Sequence, residues 1–413
     1  MKKFTQHLEE AKNVHMEHLE DNVLNRGVVG ARESINFLRS LRDALSGHSS
    51  AKVNATIKWD GAPAIFVGKD PSDGKFFVAK KGIFNKSPKV YKTPAQIDAD
   101  TSGDLSIKLK TALKYLKDIN VEGVLQGDLL FTQDDLKLSN IDNVNYITFH
   151  PNTIVYAVPA DSTLGKKIKR SAIGVVWHTH YTGDSFETMK ASFGVNIKSL
   201  GELDKVWMID ADYEDVSGSA LMTQAETSLL DTHLKACGKT FRSISAASLN
   251  AISNNEDLLT YIKTYHNSKI RAGQEITNPT SHAKGLIEWL LDKEEKELEK
   301  RKTEKGKKQF SDSFKPIKQW MANTPLTTIA NIFELQMHIV SAKKIIIKKM
   351  NQAAKLKTFL KTADGFKITG EEGYVAIDHL SGNAVKLVDR LEFSYSNFSP
   401  DIIKGWQSDQ RRG

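Results

Sequence analysis

The sequence contains a single cysteine, Cys237, so a disulfide within the chain is excluded and a reducing compartment is expected. It contains no run of about 18 apolar residues, which excludes an evident membrane-spanning helix. The start, "MKKFTQHLEEAKNV", lacks the apolar core of a secretory signal. These absences together predict a cytoplasmic protein. The formal net charge of +8 is small for 413 residues and is compatible with nucleic acid as a partner without requiring it.

The pattern of apolar and polar residues changes three times along the sequence. Residues 1–50 have helical periodicity, residues 51–198 consist mainly of short strand-like runs separated by Gly, Pro and Asp, and residues 199–359 return to periods near 3.6. Residues 360–413 are strand-like again. The pattern predicts an α+β fold in which a large all-helical insertion divides one mixed domain, preceded by an N-terminal helical segment.

The stretch "ATIKWDGAPAIFVGK" places one lysine, Lys58, in an apolar strand-like run. Asp60 and Gly61 follow it, and a lysine at a strand end beside an acid is a candidate nucleophile. The alternative for Lys58 alone is an ordinary solvent-facing lysine. Further short elements follow in order, namely Lys80-Lys81-Gly82, Gly127-Asp128, Trp177, Glu372-Gly373-Tyr374-Val375 and Val385-Lys386-Leu387.

In that order, these elements resemble the motifs of the covalent nucleotidyltransferase superfamily, which contains ATP-dependent RNA and DNA ligases and capping enzymes. The resemblance covers about residues 51–185 and 365–395. It implies a ligase-type nucleotidyltransferase fold with antiparallel sheets and flanking helices. Over most of its length the chain also resembles a family of proteins from large tailed bacteriophages, through "KWDGAPAIF", "GVLQGDLLFT", "PNTIVYAVPADSTLG" and "IGVVWHTHYTG".

The resemblance also implies roles for individual residues. Lys58 attacks the α-phosphate of ATP and forms a lysyl-AMP adduct, and Lys386 remains on that phosphate through the transition state. Glu372 and Asp128 hold Mg²⁺ or Mn²⁺. The remaining residues assigned to catalysis or to nucleotide binding are Asp60, Thr56, Ile57, Gly61, Lys80, Lys81 and Trp177. Among these, Asp60 contacts the ribose or the metal through water, and Trp177 stacks on adenine, with core packing as the alternative for Trp177.

Several positions depart from the superfamily pattern. The acid that commonly precedes the lysine is replaced by Ile57 and Thr56, Asp128 stands where glutamate is usual, and Lys80 stands where arginine is usual. Of the usual pair of lysines in the last motif, only Lys386 is present. These departures leave two interpretations, a divergent enzyme or a nucleic-acid-binding protein on a degenerate ligase scaffold.

Only 27 residues follow Lys386, too few for the oligonucleotide-binding barrel that DNA ligases carry there. Among ligases, the resemblance therefore implies an ATP-dependent RNA ligase that repairs nucleic-acid ends, with a DNA or nick-joining ligase as the alternative. A monomer is expected. The helical insertion at 199–359 is expected to recognise the nucleic acid. Its cationic runs are the segment 300–308 and a predicted basic face, Lys343, Lys344, Lys348 and Lys349. The alternative for this insertion is a dimerisation or scaffold element.

Overall fold

The computed structural model describes residues 17–47, 55–213, 221–354, 356–377 and 384–407. The α-helices are α1 (Asn22–Asn25), α2 (Gly27–Leu45), α3 (Pro94–Asp100), α4 (Gly103–Tyr115), α5 (Thr163–Arg170), α6 (Gln224–Ser243), α7 (Ala246–Ser253), α8 (Glu256–Arg271), α9 (Pro279–Glu299), α10 (Glu304–Asn323), α11 (Leu326–Met350) and α12 (Arg390–Phe398). The strands are β1 (Ala55–Ile57), β2 (Ala64–Lys69), β3 (Phe76–Ala79), β4 (Val124–Thr132), β5 (Lys137–Ile141), β6 (Val144–Phe149), β7 (Ile154–Pro159), β8 (Ile173–Thr182), β9 (Lys190–Phe193), β10 (Val206–Asp210), β11 (Lys357–Thr362), β12 (Gly365–Ile368), β13 (Tyr374–Ile377) and β14 (Ala384–Leu387).

The strands form three sheets, which confirms the α+β class. A six-stranded sheet has the order β10-β8-β4-β2-β3, with β9 also paired to β8. A five-stranded sheet has the order β12-β11-β7-β6-β5, and a three-stranded sheet has the order β1-β13-β14. All pairs are antiparallel except β10 with β8. Among the described residues, no helix is both long and apolar enough to cross a membrane.

The two faces of the six-stranded sheet differ in chemistry because successive strand residues point to opposite sides. One face packs on α4 in an apolar cluster that includes Leu109 and Trp177. On the other face, Asp128 in β4 lies opposite Val176 in β8, which places His178 on that same side. This second face forms one wall of the candidate site.

The three-stranded sheet joins distant parts of the chain. Ile57 in β1 pairs with Tyr374 in β13, and Val375 in β13 pairs with Lys386 in β14. The motif around Lys58 and the motifs near the C-terminal end therefore share one small sheet. An N-terminal segment extends this sheet, because His18 forms a parallel bridge with Lys386.

The helical part is shorter than the sequence predicts. Residues 206–210 form β10, which pairs with β8, so the helices begin at Gln224 rather than near residue 199. They also do not form an isolated module, because α11 contacts α2, α6 and α9 and shares one hydrophobic core with the three-stranded sheet. The N-terminal helix α2 packs against α6 and α7 and therefore belongs with the helices.

The predicted basic face on α11 is wrong. Lys343 is fully buried and pairs with Glu20, and Lys349 is buried and pairs with Glu226. Lys344 pairs with Glu275 and with Asp389, whose carboxylate lies 3.2 Å away. Of the four lysines, Lys348 is the exposed one. Helical periodicity identified α11, but it could not identify the distant carboxylates that neutralise its lysines.

The segment after β14 is a helix where the sequence pattern predicts a strand. Asp389 is the N-cap of α12, and its Oδ1 accepts hydrogen bonds from the backbone N–H groups of Leu391 and Glu392. A capping carboxylate of this kind stabilises a helix start. The helix places Phe393 next to the candidate site.

Candidate active site

Lys58 lies directly after β1, at the boundary between the three-stranded sheet and the six-stranded sheet. Its backbone N–H donates to the carbonyl of Gly373 at 2.9 Å, and its Nζ forms an ion pair with Glu372. The Glu372 side chain is 11% exposed and that of Lys58 is 27% exposed, so the pair is largely shielded from water. The Lys58 Nζ also lies 5.9 Å from the centroid of the Phe393 ring. The ion pair and the aromatic ring together restrict the position of the amine.

Lys386 faces the same ion pair from β14. Burial lowers the pKa of Lys386, the charge of Lys58 lowers it further, and Glu372 opposes both effects. The register of the three-stranded sheet brings these side chains together, because Lys386 lies opposite Val375, and Val375 lies opposite Thr56, two residues before Lys58. The structure thus brings together Lys58, Glu372 and Lys386, as the order of the motifs predicts.

Asp128 occupies the sheet wall opposite Lys58. Burial raises its pKa to about 7, the charge of Lys58 lowers it, and Glu372 and Asp60 raise it. Its Oδ2 lies 3.7 Å from Nε2 of His178, whose own pKa is lowered to about 4 by burial. The neutral imidazole that results is a hydrogen-bonding group on the cleft wall. The sequence offered one signal for it, the polar side chain directly after Trp177.

Gly61 explains how the Lys58 segment approaches this wall so closely. A Cβ at Gly61 would lie 2.5 Å from the Cβ of Asp128. Atoms that close overlap, so any larger residue would displace either the segment or Asp128. Gly373 has a similar constraint, because its φ of +149° and a Cβ position 2.6 Å from the Leu387 carbonyl both favour glycine.

Asp60 holds a loop in place. Its Oδ1 accepts a hydrogen bond from Nδ2 of Asn152 at 2.8 Å, and its Oδ2 accepts from the backbone N–H groups of Thr153 at 2.5 Å and Ile154 at 2.7 Å. Burial raises the pKa of the Asp60 carboxyl, while these hydrogen bonds lower it. Both oxygens are engaged by the protein, so the carboxylate fixes the start of β7 against the Lys58 segment.

Asp60→Asn should therefore destabilise the fold. The amide keeps one oxygen for the backbone N–H groups of Thr153 and Ile154, and its NH₂ group then faces the Nδ2 donor of Asn152. The expected loss is about 1–3 kcal/mol of unfolding free energy, measured by urea denaturation. Asp364→Asn, at an exposed turn position between β11 and β12, is the matched control and should change the stability by less than about 0.5 kcal/mol. An Asp60→Asn variant as stable as the parent protein would contradict this positioning role.

Glu371 is a second buried acid beside the ion pair. It lines a cavity together with Asp60, Glu372, Thr369 and Asn397. Neither of its carboxylate oxygens has a hydrogen-bond partner among the described residues, and burial raises its pKa to about 8. Glu371 matches none of the motif positions, and its one signal in the sequence is the doublet that it forms with Glu372.

Two of the predicted nucleotide contacts are wrong. Trp177 is completely buried in the cluster with α4 and presents no ring face to a base. Ile57 is buried in the main core and also does not face the cleft.

Two further predicted nucleotide contacts lie elsewhere. Lys80 is turned to α3, where its Nζ lies 3.0 Å from Oδ2 of Asp100, and Lys81 is exposed in the turn after β3. Thr56 stays beside the site, because it lies opposite Val375, which lies opposite Lys386, and it donates to the Val375 carbonyl at 3.4 Å.

The carboxylates of the cleft are the candidate ligands for a metal ion. Within the described ranges, no group of three or more His, Cys, Asp or Glu side chains could hold a metal ion. Mg²⁺, however, is commonly bound by one or two carboxylates together with water and substrate phosphates. Glu372 and Asp128, whose charges influence each other across the cleft, fit such a partial set.

Comparisons with known proteins place the chain in a family but assign it no activity. No curated protein and no solved structure matches it. A family model described as a family of unknown function (DUF6267) matches residues 13–401. Because this match covers nearly the whole sequence, the chain belongs to the DUF6267 family.

Proposed function

We propose that the protein is an ATP-dependent RNA ligase that works through a covalent lysyl-AMP intermediate on Lys58. The observation that carries the proposal is that Lys58 meets Glu372 and Lys386 at one site, although Lys58 lies more than 300 positions before the other two. A lysine, an acid and a second lysine are the groups that nucleotidyl transfer to an amine needs. The glycines at 61 and 373, which permit the close approach, support the same proposal.

In the first step, the Lys58 ammonium releases one proton to solvent, and the resulting neutral Nζ attacks the α-phosphorus of ATP. The N–P bond forms, the bond between the α-phosphorus and the bridging oxygen breaks, and pyrophosphate leaves. Glu372, already paired with the amine, is placed to accept its proton. Lys386, on β14 at the other edge of the three-stranded sheet, stabilises the negative charge on the α-phosphate oxygens in the transition state.

Glu372 and Asp128 would hold Mg²⁺ or Mn²⁺ with phosphate oxygens and water, and the bound cation would supply charge neutralisation for pyrophosphate. The protein residues have separate tasks that need no metal. Asp60 fixes the loop at Asn152, and Phe393 limits the space open to the Lys58 amine.

The later steps transfer AMP to nucleic acid. An oxygen of a 5′-phosphate end attacks the phosphorus of lysyl-AMP, the N–P bond breaks, and Lys58 regains a proton. A 3′-hydroxyl then attacks the activated 5′-phosphate, AMP leaves, and the hydroxyl proton passes to solvent. The net reaction joins the two ends and converts ATP to AMP and pyrophosphate.

A nucleic-acid-binding protein on a degenerate ligase scaffold is the second candidate. Two observations favour it: the complete burial of Trp177 and the pairing of Lys80 with Asp100. Each of these contacts keeps away from the site a side chain that the superfamily pattern assigns to nucleotide binding. Incorporation of labelled AMP from ATP distinguishes the enzyme from the binder, because only the enzyme forms the adduct.

The acceptor is tested by a panel of labelled 5′-phosphorylated ends, namely single-stranded RNA, single-stranded DNA and nicked duplexes of each. We expect RNA ends to be joined at least about ten times faster than DNA ends, a difference of about 1.4 kcal/mol in transition-state free energy. Equal or faster joining of DNA would replace RNA by DNA as the substrate class. Adduct formation without any joining would indicate an acceptor other than a polynucleotide end.

A further inference from the structure

The outer face of α12 carries two exposed aromatic side chains. Tyr395 is 42% exposed and Phe398 is 64% exposed. Residues three positions apart lie on the same face of a helix, so the two rings are neighbours. We refer to Tyr395, Phe398, Lys367 and Arg271 as the aromatic patch.

Each aromatic ring of the patch has a cation beside it. The Nζ of Lys367 lies 5.7 Å from the centroid of the Tyr395 ring, and the guanidinium carbon of Arg271 lies 5.5 Å from that of Phe398. Within the described residues, neither cation forms an ion pair with a carboxylate. The two positive charges are therefore available to an anion from outside the protein.

The same helix connects the patch to the candidate active site. Phe393 lies beside the Lys58 amine, whereas Tyr395, two positions later, points to the other side of α12. A helix with its side chains is about 10–12 Å across. A nucleic-acid strand with its end at Lys58 would cover that distance within a few nucleotides.

We propose that the aromatic patch binds unpaired bases of the single-stranded nucleic acid whose end reacts at Lys58. This inference rests on the proposed function for the location of the reacting end. Exposed rings accept unpaired bases of any sequence by stacking, and adjacent cations contact the phosphates between them. A polyanion with flat apolar groups complements both the rings and the cations of the aromatic patch. An apolar protein partner does not, because it would leave both cations without a counter-charge.

The test compares binding of fluorescently labelled single-stranded RNA to the full-length protein and to variants. Tyr395→Ala and Phe398→Ala should each weaken the affinity about 5- to 150-fold, whereas Tyr395→Phe, which keeps the ring, should bind like the parent protein. Replacing both cations by glutamine should flatten the slope of log affinity against log salt by about 0.7 for each charge. Trp406→Ala is the matched control, because Trp406 is also exposed but lies outside the patch.

The outcomes separate this inference from the proposed function. Loss of RNA affinity in the alanine variants, with lysyl-AMP formation unchanged, supports the patch. Loss of affinity in a protein that forms no adduct at all also supports the patch while the ligase proposal fails. Alanine variants that bind RNA like the parent protein overturn the inference, whether or not the adduct forms. A parent protein that binds no single-stranded RNA or DNA overturns it as well, and a protein partner then becomes the occupant.

Discussion

Lys58→Arg should abolish lysyl-AMP formation and joining, with a decrease of at least about 1,000-fold because the covalent step loses its nucleophile. Arginine keeps the positive charge beside Glu372, so the buried acid is not left without a partner. Its guanidinium stays protonated at any ordinary pH and cannot attack phosphorus. The measurements are incorporation of labelled AMP and gel analysis of joined ends.

The matched control is Lys69→Arg, at an exposed strand end outside the cleft. This variant should form the adduct at the rate of the parent protein. Circular dichroism and the urea midpoint show whether Lys58→Arg is folded. A folded Lys58→Arg protein that still forms a phosphoramidate would show that another side chain is the nucleophile.

Lys343→Met should cause the largest loss of stability among the substitutions proposed for this chain. Lys343 and Glu20 are both fully buried, with 2.6 Å between Nζ and Oε2. Removing the lysine leaves the Glu20 carboxylate fully buried without its main partner, although Arg390 remains 3.7 Å from its other oxygen. The expected loss is about 3–5 kcal/mol of unfolding free energy, measured by urea denaturation.

A double variant separates the loss of a partner from the loss of packing. Lys343→Met combined with Glu20→Gln removes both charges and should recover most of the stability lost by Lys343→Met alone. Lys348→Met, at the exposed lysine of the same helix, should change the stability by less than about 0.5 kcal/mol. If Lys343→Met were as mild as Lys348→Met, the ion pair would not be part of the core.

The buried pair links the helices to the candidate active site. Glu20 and Glu17 lie in the same N-terminal segment. The backbone carbonyl of Glu17 accepts a hydrogen bond from the backbone N–H of Lys386 at 3.2 Å. The helical part is therefore packed onto the strand that carries a proposed catalytic lysine. The sequence predicted only a helical insertion, because it shows neither this contact nor the partner of Lys343.

The strands and the order of the motifs were readable from the sequence because they depend on local patterns. The side of the sheet to which Trp177 points could not be predicted from the sequence. The run from Ile173 to Trp177 is apolar on both faces, so alternation cannot indicate which face meets the cleft. In the structure, α4 covers the face of the sheet that carries Trp177, and His178 lies on the opposite face. Helix α12 was missed for a similar reason, because the alternating apolar residues after Asp389 imitate a strand.

The proposed roles of Asp60 and Phe393 depend on contacts that no local pattern contains. Asp60 is bound by the loop at Asn152, and Phe393 reaches Lys58 from a helix near the C-terminal end. Long-range contacts of this kind are set by how the sheets meet. A single sequence can predict that Lys58 is special, but it cannot predict which side chains surround it.

The most direct measurement is mass-spectrometric mapping of the parent protein after incubation with ATP and Mg²⁺. The account predicts a mass increase of one AMP per chain, located on Lys58, with release of one pyrophosphate. GTP should give less adduct than ATP. Absence of an adduct with every nucleoside triphosphate and divalent metal, or an adduct located on Lys386 or any other lysine, would contradict the account.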